Sequence, residues 1–309
     1  MSAVFQVGII GVGNMGGAMA QRLGTLGWAP WVHDLDAAKL EGLKPFGTLA
    51  PADTQYAASN SVATIVCVVD AAQTRDVLFG PQGIAAHLLP RHVVVLCPTI
   101  SPEDVEAIAA QLAGLGVDTI DAPMSGGPAR ARDGSMSLMV EGADAVVARC
   151  ELLLLQALSS KVFHISARPG DGARTKLVNN LLAATHLAAS AEAIALAQRL
   201  GLDGAATLAV VAESSGHSWI GADRMARALA GDFAPRAHTT LLAKDSGLAL
   251  AMAAQAGIQP LLGTAAAAQF QAALAAGFGG DDDARLLSLL QRQFAAADQP
   301  PAGAGTPPV

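Results

Sequence analysis

The chain of 309 residues is long enough for roughly two domains, and its make-up, 52% hydrophobic with only 15% charged side chains, supports a large buried core and excludes global disorder. A net charge of −7, from 19 basic and 26 acidic residues, argues against nucleic-acid binding by bulk electrostatics but not against a small anionic substrate, which responds to local charge. Apolar segments are interrupted by charge and the first residues carry no charged leader with a cleavage site, so neither a membrane span nor secretion is expected and the protein reads as cytoplasmic.

The first element is carried by residues 5–20, FQVGIIGVGNMGGAMA. An apolar run at 7–10 reads as a buried strand, followed by Gly11-Val12-Gly13-Asn14-Met15-Gly16 and an Ala/Met/Leu helix. In such a G-x-G-x-x-G turn the first glycine allows the tight turn, the second lets a pyrophosphate approach the backbone, and the third lets helix and strand pack closely. The helix start offers main-chain N–H donors and a positive dipole end to phosphates. Gly11, Gly13, Asn14, Met15 and Gly16 are therefore the candidate cofactor-binding turn. The second strand, 28–33 (WAPWVH), ends in Asp34, 18 positions past Gly16. A carboxylate there accepts hydrogen bonds from a ribose 2′-OH and repels a 2′-phosphate. No Arg or Lys follows before Lys39, which favours NAD over NADP.

Further strands are expected at 64–69, 92–96, 117–120, 137–141 and 161–165, with helices between them, one opening at Ser101-Pro102-Glu103 with an N-cap serine and a proline in the first turn. This alternation predicts an α/β Rossmann domain, doubly wound on a mostly parallel sheet, over residues 1–167. The character changes at Arg168-Pro169-Gly170. A helix is expected over 175–200, then only helical patterns at 205–214, 219–230, 239–256, 261–276 and 283–297, so residues 168–297 read as a long inter-domain helix and an all-α C-terminal domain. The tail 298–309 is Pro/Gly-rich and reads as disordered. A helix apolar on nearly all faces is buried in a large core or against another subunit, which predicts a homodimer or homotetramer through the helical domain. Cys67, Cys97 and Cys150 fit neither a disulfide framework nor a metal-ligand spacing, and no metal is expected.

Three segments carry chemistry. Asp121-Ala122-Pro123-Met124-Ser125-Gly126-Gly127 follows a strand; Ser125, Gly126 and Gly127 offer a hydroxyl and open main-chain N–H groups, a nest that suits a carboxylate, although the same residues also populate ordinary turns. In Gly172-Ala173-Arg174-Thr175-Lys176-Leu177-Val178-Asn179-Asn180, the side chains of Lys176, Asn179 and Asn180 share one helical face. Burying them is costly without partners. A lysine in a water-poor site has its pKa lowered toward neutrality, as a general acid/base requires. Lys244-Asp245 is a charge pair between apolar stretches; as helical neighbours the two are expected to point in different directions.

Four segments, GVGNMGGAMA, DAPMSGG followed by DGSMSLMVEG, GARTKLVNN and LLAKDSGLALA, occur in the order and spacing of the motifs of the β-hydroxyacid dehydrogenase family, which the chain resembles up to about Phe294. The resemblance implies reversible oxidation of the β-hydroxyl of a short hydroxy acid with NAD or NADP, in a cleft between a Rossmann domain and a helical domain. It gives Lys176 the proton transfer, Asn180 the orientation of substrate, Ser125, Gly126 and Gly127 the substrate carboxylate, and Thr99 and Lys244 contacts to the cofactor. The segments SSGHSWIGADRM and FAPRAHTTLLAKD look like the branch acting on L-threonate and related four-carbon sugar acids. Family members acting on 3-hydroxyisobutyrate generally carry an aromatic where this chain has Ala237, and Arg236, Ser218 and His217 are candidates for added polar contacts. The rival readings are a semialdehyde reductase (tartronate or succinate semialdehyde), an imine reductase, which usually departs from lysine at the position of Lys176, and an NAD-binding module without chemistry.

Overall fold

A computed structural model describes residues 7–296; the expected tail at 298–309 and the first residues of the opening strand segment lie outside them. The chain divides into two compact units, Met1–Leu177 and Val178–Val309.

In the first unit, β1 (Val7–Ile10) leads through the glycine turn into α1 (Asn14–Thr25), then β2 (Trp31–His33), α2 (Ala37–Leu43), α3 (Thr54–Ser59) and β3 (Ala63–Val66). There follow α4 (Ala71–Phe79), β4 (Val93–Leu96), α5 (Pro102–Ala113), β5 (Asp118–Asp121), β6 (Met124–Ser125), α6 (Gly127–Asp133), β7 (Ser137–Glu141), α7 (Asp144–Cys150), α8 (Gln156–Leu158) and β8 (Lys161–Ser166). The strand order is β2-β1-β3-β4-β5-β7-β6, with β8 on β7. The ladders from β2 to β5 are parallel, in the register Ile9–Ile65–Val95–Ile120, whereas β7 runs antiparallel to β5 and β6. Alternate residues feed two cores. Ile9, Ile65, Val95 and Ile120 pack with Met19 and Leu23 of α1, while Ile10, Val66, Val94 and Leu96 pack with Val105, Ile108 and Leu112 of α5. A sheet buried on both faces is why its strands read as continuous Val/Ile runs.

The structure shortens several expected elements. The second strand begins at Trp31, not residue 28, because Pro30 lacks the N–H a ladder needs. The expected strand 64–69 ends at Val66, and 117–120 becomes Asp118–Asp121, which brings Asp121 onto the sheet. Short β6 was not expected; two residues give no periodicity to read.

The long helix α9 (Asp171–Arg199) starts four residues earlier than expected and runs across the boundary between the units. It is the one described helix long and apolar enough to cross a membrane by length and composition; 44% of its most apolar window is buried. The second unit continues with α10 (Gly204–Ala212), α11 (Trp219–Leu229), α12 (Thr239–Gln255), α13 (Leu261–Ala275) and α14 (Leu286–Ala296). Its core joins Leu187, Ala191 and Ile194 of α9 to Met225, Leu242, Phe270, Leu286 and Leu290. The last helix opens three residues later than expected, behind a tight 3-10 turn at Asp283–Arg285.

Candidate active site

At the end of β1 the chain turns sharply, with Gly11 N–H donating to the His33 carbonyl at 2.9 Å. A Cβ on Gly16 would stand 2.0 Å from the Gly11 carbonyl oxygen, so only glycine lets α1 begin this close to the strand. A Cβ on Gly13 would meet nothing within 4 Å. Gly13 is also the N-cap of α1 and supplies no side-chain cap, so a ligand can approach the main chain at Gly13, where α1 begins, with no side chain in the way.

Asp34 stands at the rim of this turn. Its Oδ2 accepts the Val12 N–H at 2.9 Å, and its Oδ1 accepts Asp36 N–H at 3.0 Å and Lys39 Nζ at 3.2 Å. Partial burial works to raise the carboxyl, but the hydrogen bonds from Asp36, Lys39 and Val12 outweigh it and hold it below the usual carboxylate range. It is therefore an anion at neutral pH. Open backbone at a helix start with a fixed carboxylate beside it suits the pyrophosphate and adenosine ribose of NAD. Thr99 stands half-buried in the loop leaving β4, two residues before the α5 cap Ser101. The cysteines behave as core residues. Burial pushes the Cys67 thiol up to about 12 and raises those of Cys97 and Cys150, so none is a ready thiolate.

Ser125 ends β6 and is half-buried. Gly126 and Gly127 follow with φ of 126° and 74°, backbone that other residues rarely adopt, and α6 starts from them. Successive main-chain N–H groups in such a turn can form an anion-binding nest.

Lys176 is 8% exposed on α9 and lies in the first unit; Asn180, 7% exposed, follows one helical turn later in the second. Asn180 Nδ2 donates to Asp245 Oδ2 at 2.6 Å, and Asn179 Nδ2 donates to Asn180 Oδ1 at 3.0 Å. Asp245 also binds Lys244, with Nζ to Oδ1 at 2.6 Å. The expectation that these two neighbours diverge is corrected: the four-carbon lysine stem folds back to the carboxylate beside it. Asp245 is 6% exposed, and the sequence marks it only as half of a charge pair with Lys244, not as the partner of Asn180. A buried asparagine demands a partner, but nothing local in sequence names one 65 positions away.

The segment leading into α12 is held from outside. Asp282, fully buried, accepts Arg236 N–H at 2.8 Å and Ala237 N–H at 3.3 Å with Oδ2, and Arg227 Nη2 at 2.8 Å with Oδ1. Burial works to raise its carboxyl, but these bonds bring it down to about 2. Ser218 caps α11 through Gly221 N–H, and the Arg236 guanidinium pairs with Asp232 at 2.7 Å, so both carry structural tasks in addition to any contact expected of them.

A doubly wound sheet, an open glycine turn with an anionic carboxylate at its rim, and a buried lysine followed by asparagine on a long helix define a nicotinamide-dependent dehydrogenase. Residues 6–166 match the NAD binding domain of 6-phosphogluconate dehydrogenase, and residues 170–290 match the NAD-binding domain of NADP-dependent 3-hydroxyisobutyrate dehydrogenase. The L-threonate dehydrogenase of Escherichia coli K12 is 37% identical over 287 residues, covering 92% of this chain and 94% of the relative. The 3-hydroxyisobutyrate dehydrogenase of Pseudomonas aeruginosa is 33% identical, covering 80% and 85%. The crystal structure of 3-hydroxyisobutyrate dehydrogenase from Salmonella typhimurium superposes with a TM-score of 0.87 at 36% identity, covering 92% of this chain and 99% of that one. The chain belongs to the β-hydroxyacid dehydrogenase family, on the branch that holds the L-threonate dehydrogenases. It is an NAD(P)-dependent hydroxyacid dehydrogenase.

Proposed function

We propose that the chain oxidises L-threonate or a closely related four-carbon sugar acid with NAD, and that Lys176 carries the proton. The observation that carries this reading is the 37% identity to L-threonate dehydrogenase over 92% of the chain; the small residue Ala237, where the family resemblance implies an aromatic in members acting on 3-hydroxyisobutyrate, agrees with it. When bound, the nicotinamide supplies the acceptor for the hydride leaving the carbinol carbon. Lys176 Nζ, arriving as the neutral amine, takes the hydroxyl proton as that bond breaks, so no free alkoxide builds up; in the reverse direction the ammonium returns it. Asn180, its amide fixed by Asp245, orients the hydroxyl end of the substrate. Ser125 Oγ and the N–H groups of Gly126 and Gly127 bind the substrate carboxylate. Gly11, Gly13, Asn14, Met15 and Gly16 receive the pyrophosphate, Asp34 the adenosine ribose, and Thr99 and Lys244 complete the cofactor contacts.

The test is NADH formation by the purified protein on L-threonate, D-erythronate, 3-hydroxyisobutyrate, glycerate and L-serine. Preference for a four-carbon polyhydroxy acid over 3-hydroxyisobutyrate by at least about tenfold in kcat/KM is expected, since pocket differences of a few groups are worth roughly 1–3 kcal/mol. Turnover of the smaller acids alone discards the four-carbon reading. Binding of NAD with no turnover in either direction, semialdehydes included, favours a module without chemistry.

We also propose a homodimer or homotetramer formed through the helical unit. Val178, Leu182 and Leu196 of α9 are 61%, 55% and 51% exposed, an apolar surface that association would cover. Sedimentation at micromolar concentration is expected to give at least a dimer; a stable monomer overturns the proposal.

A further inference from the structure

Six of the described helices, α2 to α5, α10 and α11, are capped by the side chain of the residue that precedes them: Asp70 caps α4, Ser101 caps α5 and Asp203 caps α10. The start of α9 is held differently. Asp121 Oδ2, at the end of β5, accepts the Ala173 N–H at 2.7 Å across 52 residues of sequence. Glu141, its partner across the antiparallel ladder, accepts the Gly170 N–H at 3.3 Å across 29. Two carboxyl groups from adjacent strands thus take two main-chain donors that have no earlier helical turn to bond to. Gly172 shows how close the approach is: a Cβ there would stand 2.7 Å from Asp121 Oδ2 and 3.0 Å from its Cγ.

Asp121 is fully buried, and its Oδ1 meets no hydrogen-bond partner. Burial, opposed by the Ala173 hydrogen bond and aided by Glu141, pushes its carboxyl up to about 8, so it carries a proton at neutral pH. A buried polar group with an unsatisfied oxygen is an expensive way to fill space. Its one hydrogen bond falls three residues before Lys176, while its own main chain continues through Ala122, Pro123 and Met124 into Ser125.

We propose that Asp121 is a positioning residue for proton transfer: by holding the Ala173 N–H it fixes the turn of α9 that bears Lys176 and refers that turn to the strand whose continuation forms the Ser125–Gly127 loop. The inference rests on Lys176 as the proton carrier. A cap supplied by the helix's own sequence moves with the helix. A cap supplied by the sheet holds the helix to an external frame, which matters where a misplacement of about 1 Å is enough to cost roughly 100-fold in rate.

The test compares Asp121→Ala, Asp121→Asn and Lys176→Ala in the full chain, at a temperature where circular dichroism shows each folded. Asp121→Ala leaves the Ala173 N–H without an acceptor, and kcat per folded molecule is expected to fall about 10- to 100-fold with KM for NAD within about twofold of the parent. Asparagine has the same shape and keeps a carbonyl acceptor, so Asp121→Asn is expected to restore kcat to within about threefold of the parent. A merely structural role lowers Tm in Asp121→Ala and leaves kcat unchanged; that result, or asparagine no better than alanine, overturns the inference. If Asp121→Ala does not fold, Gly172→Ala takes its place, since its methyl pushes the helix start off the carboxyl; a loss of kcat supports the inference and an unchanged kcat overturns it. Lys176→Ala separates the two readings. Activity retained there defeats the lysine assignment and this inference with it, whereas an inactive Lys176→Ala beside a fully active Asp121→Ala defeats this inference alone.

Discussion

Replacing Lys176 by alanine is expected to lower turnover by about two to four orders of magnitude, the usual loss when a general acid/base is removed, while NAD binding is kept. The lysine is buried, and it lies outside the glycine turn at residues 11–16 and the Asp34 rim, so its loss leaves the groups proposed to hold the dinucleotide intact. If the amine is the acceptor of the hydroxyl proton, as proposed, kcat and kcat/KM fall together and KM changes little. Lys176→Arg sharpens the test. Arginine keeps the charge and length but does not deprotonate in proteins, so it is expected to be as inactive as alanine. NADH fluorescence titration checks cofactor binding in both variants, and steady-state assays check turnover. Near-normal turnover in either rules out the lysine as proton carrier.

The second large effect is expected at Asp34, on the choice between NAD and NADP. Its carboxylate is ionised, held low by three donors, and it stands where the ribose 2′-OH is proposed to bind. Asp34→Arg removes the acceptor and reverses the charge. The ratio of kcat/KM for NAD to that for NADP is expected to fall roughly 10- to 100-fold, the range of one hydrogen bond to a charged group. Lys39 strengthens the expectation: its amine is 3.2 Å from Asp34 Oδ1, and removal of the carboxylate leaves that positive charge available to a 2′-phosphate. Asp34→Asn retains oxygen and shape without the charge and is expected to fall between the parent and Asp34→Arg. Steady-state kinetics with both cofactors decides the matter, and an unchanged preference removes the ribose assignment.

Much of the fold was legible because local chemistry and global architecture agree. The glycine turn is written in consecutive residues, the parallel strands announce themselves as Val/Ile runs, and the long Ala/Leu stretch allows little but helix. What was not legible depends on partners distant in sequence. Asp245 reads as half of a charge pair until Asn180 is found 2.6 Å away. Asp121 reads as the first letter of a loop motif, and only the early start of α9 shows that its carboxyl meets a helix. The boundaries failed for similar reasons: Pro30 breaks a ladder that composition favours, and α9 begins before its apolar run because distant carboxyl groups receive its first donors.

Asp282 has a consequence for how readily this scaffold changes its preferences. The backbone at Arg236 and Ala237 is fixed by a buried carboxylate more than forty residues away, itself held by Arg227. The path of that segment is therefore held through its main chain, by bonds that do not involve the side chain at 237, the position where the family resemblance implies an aromatic in members acting on 3-hydroxyisobutyrate. A mutation there alters what projects from the segment and leaves the segment where it was. Evolution, or an engineer, can explore residue 237 without rebuilding its support.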